Sequence, residues 1–88
     1  DDIATMKLRR MVEMIVGIAE PLAHIHDFRI VHQEERTKMV FDVVVPHTYK
    51  EAERLRFHEQ LLKDISEVDA EFECIITVEN SFISEVEQ

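Results

Sequence analysis

Thr37-Lys38-Met39-Val40-Phe41-Asp42-Val43-Val44-Val45, closed by Pro46, is the stretch from which the fold can be read. β-Branched and aromatic side chains dominate it, and they suit a pleated, half-buried surface. Alternation puts Met39, Phe41, Val43 and Val45 on one face and Val40, Asp42 and Val44 on the other. The first face is wholly apolar and reads as core. The second sets an acid between valines, which reads as a more mixed surface. Pro46 has no N–H to give a ladder and ends the strand.

Upstream, Gln33-Glu34-Glu35-Arg36 is short and charged, and reads as a hairpin connection to a preceding strand over 22–33. In that strand Phe28 and Ile30 alternate with Arg29 and Val31. Further upstream, Leu8, Met11, Val12, Ile15, Ile18 and Ala19 recur at three- and four-residue spacing, which predicts a helix over 3–19. Lys7, Arg9, Arg10 and Glu13 lie off that stripe, and Pro21 stops the helix by disfavouring the α region at Glu20.

Downstream, Thr48-Tyr49-Lys50-Glu51 has the form of a capping box. A second helix follows to about Ser66, with Ala52, Leu55, Leu62 and Ile65 expected on its inner face. A third strand covers about 70–79. There Phe72, Cys74, Ile76 and Val78 face one way, and Glu73, Ile75, Thr77 and Glu79 the other. Residues 80–88 read as an acidic tail.

The order α-β-β-α-β predicts an α+β domain spanning 1–88, a ferredoxin-like sandwich whose three-stranded sheet carries two helices on one face. The other face has no helix to cover it. It would present Val40, Val44 and Ile75 beside Asp42, Thr77 and Glu79, a half-apolar surface suited to a second copy.

Composition narrows the function. With 19 acidic and 10 basic residues the formal charge is −9, a field that repels phosphate backbones and attracts cations. No nucleic-acid partner is expected. Cys74 is the only cysteine, so no intrachain disulfide or CxxC motif can form. Gly17 is the only glycine, which excludes a glycine-rich phosphate loop. No nucleophile elbow is present, and an enzyme is not expected. The longest apolar runs are about six residues, well short of a bilayer span. The chain starts at Asp1 rather than Met, which suggests a piece of something longer.

The segments His26-Asp27-Phe28-Arg29-Ile30-Val31-His32, Val40-Phe41-Asp42-Val43-Val44-Val45-Pro46 and Ile75-Ile76-Thr77-Val78-Glu79 resemble the C-terminal cytoplasmic domain of cation diffusion facilitators, a family of metal cation efflux transporters. With the element order, the resemblance covers roughly residues 5–83. It implies a parent with a membrane domain, usually of six helices, that exports divalent metal on the proton gradient. It also implies a domain on the cytoplasmic side of the membrane that pairs with its copy and in many members binds regulatory metal.

The resemblance also indicates where metal would sit. His26 matches the family's metal-ligating histidine. Asp42 stands where zinc-binding relatives have a histidine, and a carboxylate there favours harder ions. Thr77 and Glu79 occupy the place of a His-x-Asp pair, so that histidine is missing and Glu79 alone keeps an acidic oxygen. Independently of the family, His24 lies two residues from His26, and in a strand the two point the same way. The candidate metal ligands are therefore His26, Asp42, Glu79 and His24, for zinc, manganese, iron or cobalt. A plainer reading makes His26 a strand-start histidine bonded to Asp27 or a backbone carbonyl, and Asp42 a solvated acid. His32, His47 and His58 read as structural, Cys74 as a small buried hydrophobe, and Met6, Met11, Met14 and Met39 as core packing. Two other functions fit the same outline: a purely structural dimerisation module, or a small-ligand-binding regulatory domain of the ACT kind. The latter usually wants a glycine-containing loop that this chain lacks.

Overall fold

The computed structural model describes residues 2–82. The elements run α1 (Asp2–Ala19), β1 (His24–His32), β2 (Thr37–Val45), α2 (Glu51–Val68) and β3 (Phe72–Asn80). The sheet order is β1-β2-β3. β1 and β2 pair antiparallel, while β2 and β3 pair parallel with α2 as the crossover. The expected α-β-β-α-β order holds. The tail assigned to 80–88 is corrected at its start, because Asn80 closes β3. From residue 83 on, that tail lies outside the described residues.

β2 is the central strand, and its bounds are those read from the sequence. Met39, Phe41, Val43 and Val45 are all at most 1% exposed. Val12 and Val16 of α1 and Phe57, Leu61 and Ile65 of α2 pack with them in one cluster. Each such side chain removed from water is worth about 1.5–3 kcal/mol. Both helices thus cover the same side of the sheet, and the alternate β2 residues form the opposite, open face.

Helix phases differ from the sequence reading. On α2 the buried stripe is Phe57-Leu61-Ile65, while Ala52, Leu55 and Leu62 are exposed. On α1, Ile18 is exposed although Leu8, Met11 and Ile15 pack against the core as expected. Met6 and Met14, read as core, are also exposed. The capping box at Thr48 does not form. The Tyr49 N–H donates to the Pro46 carbonyl at 3.0 Å, so residues 46–49 make a turn and Lys50 becomes the N-cap. Glu53 Oε1 accepts the Lys50 N–H at 3.0 Å. Lys50 has no side-chain acceptor to return the bond, so only half a box is present.

β1 contains a bulge. His26 pairs with Asp42 and Arg29 with Val40, so Asp27 and Phe28 together oppose Phe41. Asp27 sits at φ 53°, a left-handed conformation that Asp tolerates better than most residues. At the far end of the sheet, the Ser81 N–H donates to the Val45 carbonyl at 2.8 Å and ties the exit of β3 to the end of β2.

Candidate functional site

The strand registers place the candidate residues in rows across the open face. One row is His26, Asp42 and Thr77; the next is His24, Val44 and Glu79. Arg29, Val40 and Ile75 make a third row, and Val31, Lys38 and Glu73 a fourth. The bulge produces this arrangement. Without it, Phe28 and Ile30 would share a face with His24 and His26. The extra residue flips the parity, so both histidines stay outside and both hydrophobes turn inward. Phe28 then stacks near Phe41, ring centroids 5.9 Å apart.

His26 and Asp42 are directly opposed, and such pairs have Cβ atoms roughly 4.5–5.5 Å apart. His24 and Glu79 flank Val44 on the two outer strands, two strand spacings or about 9.5 Å from one another. The four candidates therefore share one end of one face, but they do not converge on a point. Among the described residues, no group of three or more His, Cys, Asp and Glu side chains could hold a metal ion. A four-coordinate zinc needs more donors than the His26–Asp42 pair supplies.

The remaining candidates have structural surroundings. His58 Nε2 lies 3.1 Å from the Ile76 carbonyl, linking α2 to β3. Cys74 is half-buried, and burial pushes its thiol up to about 11, which keeps it protonated and a poor ligand.

A polar cluster at the β2–α2 turn was not visible in the sequence. Asn80 Nδ2 donates to the carbonyls of Tyr49 at 2.8 Å and Pro46 at 3.2 Å. Its Oδ1 accepts from Arg54, which also donates to the Tyr49 carbonyl at 3.1 Å. The Tyr49 hydroxyl donates to Glu20 Oε1 at 2.8 Å, and Glu20 Oε2 accepts the Leu22 N–H. The Asn80 bonds and the Tyr49–Glu20 bond join residues about thirty positions apart, so no local pattern announces them. Surface grooves beside this cluster are shallow, one of about 310 Å³ lined by Tyr49, Glu53, Arg56, Phe57 and Gln60. Among the described residues no helix is long and apolar enough to cross a membrane.

A three-stranded mixed sheet backed by two helices in this order is an arrangement found in solved structures. Two of these are of CzrB, a zinc transporter. One matches 86% of this chain and 94% of its own with a TM-score of 0.73 at 18% identity. The other, a zinc form, matches 97% and 89% with a TM-score of 0.73 at 19% identity. Likeness at that level of identity is likeness of fold. No protein-family model and no curated protein matches the sequence.

Proposed function

We propose that this chain is the cytoplasmic regulatory and dimerisation domain of a divalent-metal efflux transporter of the cation diffusion facilitator family, attached to a membrane domain and not itself catalytic. The supporting observation is a conjunction. The fold is shared with a zinc transporter over most of both chains, and the family-like His26-Asp27-Phe28-Arg29 segment sets His26 opposite Asp42 on the open face.

In this reading two copies meet through their open faces. Each carries a formal charge of −9, so they repel. A divalent cation held by His26 and Asp42, with Glu79 or His24 completing the shell from the same or the second copy, offsets that repulsion and favours the closed pair. Closure then biases the membrane domain. The carboxylate of Asp42 admits manganese and iron(II) beside zinc and cobalt.

Isothermal titration with each of these ions tests the sensing. Binding heat that disappears in His26→Ala/Asp42→Ala is the expected result, and silence at millimolar metal would remove it. The half-built shell and Thr77 in the His26 row favour a second reading, a dimerisation module without regulatory metal. Under that reading sedimentation velocity gives a dimer whose stability ignores both added metal and the double substitution.

A further inference from the structure

We propose that the free edge of β3, with the groove between it and α2, takes up an extended segment of another polypeptide as a fourth strand, apolar at alternate positions and basic between them. The inference is independent of the transporter reading. The sheet order β1-β2-β3 leaves two edges. β1 is interrupted by its bulge and carries Arg29, two features that discourage strand addition. β3 has neither. It runs from Phe72 to Asn80 in unbroken register with β2, without proline or a basic residue. Backbone groups alternate sides along a strand. The Ser81 N–H is turned to β2, where it meets the Val45 carbonyl, so those of Cys74, Ile76 and Val78 are turned outward. The Ile76 carbonyl agrees with that phase, since His58 Nε2 reaches it from α2 at 3.1 Å. Among the described residues, no other strand pairs with this edge.

Beside the edge lies a groove of about 240 Å³, lined by Glu51, Arg54, Leu55, His58 and Val78. Leu55 and, two turns further on, Leu62 are 60% and 37% exposed on the flank of α2 nearest β3, and neither joins the core. An added strand would align alternate side chains with Cys74, Ile76 and Val78 and cover both leucines. Its other side chains would extend the rows that end in Glu73, Ile75, Thr77 and Glu79. Glu73 and Glu79, with Glu51 in the groove and Asp69 and Glu71 at the entry to β3, make the surroundings acidic. Of the nearby bases, Arg54 is turned to Asn80 and the Tyr49 carbonyl, and Lys38 lies 4.0 Å from Glu73. Lysine or arginine on the incoming strand therefore gains opposite-charge neighbours. A second copy is a poorer occupant. In the fullest antiparallel overlap of two β3 strands, Ile76 faces Ile76, and Glu73 of each copy is set against Glu79 of the other. Residues 83–88 of this chain are also poorly matched, with two glutamates and no base.

Amide NMR of the 88-residue chain, titrated with a short capped peptide of alternating lysine and valine, tests this. Laid antiparallel, the valines oppose Cys74, Ile76 and Val78 and exchange backbone bonds with them. Those three amides should shift and exchange more slowly with water, while β1 amides change little. A glutamate–valine peptide should not bind. A lysine–valine peptide N-methylated on its valines keeps the charge but cannot complete the ladder, and should bind at least about tenfold more weakly. Leu55→Ser/Leu62→Ser should weaken binding of the unmodified peptide about tenfold, with unchanged circular dichroism. Unchanged β3 shifts at millimolar lysine–valine peptide overturn the proposal. Equal binding of the N-methylated peptide also overturns it, because charge alone would then account for the attraction. So does a peptide-free dimer that Leu55→Ser/Leu62→Ser separates, which would give the edge to a second copy.

Discussion

Asn80 stands at the end of β3 with both ends of its amide engaged. It donates to the turn carbonyls of Pro46 and Tyr49 and accepts from Arg54, so one side chain fixes the junction of β2, α2 and β3. Asn80→Ala strips those carbonyls of a partner and should cost about 1–3 kcal/mol, read as a lower urea midpoint at unchanged slope. Tyr49 makes the second tie. Burial first, and then the hydrogen bond to Glu20, raise its pKa from 10.0 to about 12. The folded state holds that proton more tightly than the unfolded state. Its contribution is therefore complete below pH 10 and is lost as pH rises through about 12. Tyr49→Phe should flatten the fall in stability across that window, measured by urea unfolding below pH 10 and near pH 12.

Among the elements, β1 depends on one backbone conformation. Ile25, Phe28 and Ile30 can all face inward only if a residue is added between His26 and Arg29, and Asp27 supplies it at φ 53°. Asp27→Val should cost roughly 1–2 kcal/mol because a β-branched side chain resists that region. Asp27→Gly should not, and thermal melts of the two variants check the contrast. β2 was legible because one period of two governs its whole length and Pro46 ends it. The phase of α2 was not. Leu55 and Leu62 are as apolar as Leu61, and only the position of the sheet decides that Phe57, Leu61 and Ile65 turn inward. Thr48 looked like a cap because residues 48–51 fit the local pattern, but the Pro46–Tyr49 turn takes up those positions first. On β1 the pairing of His24 with His26 could be read from spacing. That His26 meets Asp42, and that Glu79 stands off beside Val44, depended on register between distant strands.

The whole molecule is two layers, helices on one side and an uncovered sheet on the other. Ile75 lies on the uncovered side, exposed and outside the core cluster, in the row of Arg29 and Val40. If copies meet through that face, Ile75→Lys should separate them without unfolding either, seen as a shift from dimer to monomer in sedimentation velocity. Within the sheet layer, the bond from Ser81 to Val45 holds the exit of β3 to the end of β2. That bond also bears on how the molecule ages. Spontaneous deamidation at an Asn-Ser pair begins when the serine nitrogen attacks the asparagine side-chain carbon to form a succinimide. Here that nitrogen is occupied by Val45 and the Asn80 amide by the turn. Conversion of Asn80 to aspartate or isoaspartate becomes a chemical clock that runs only while this end of the sheet is open.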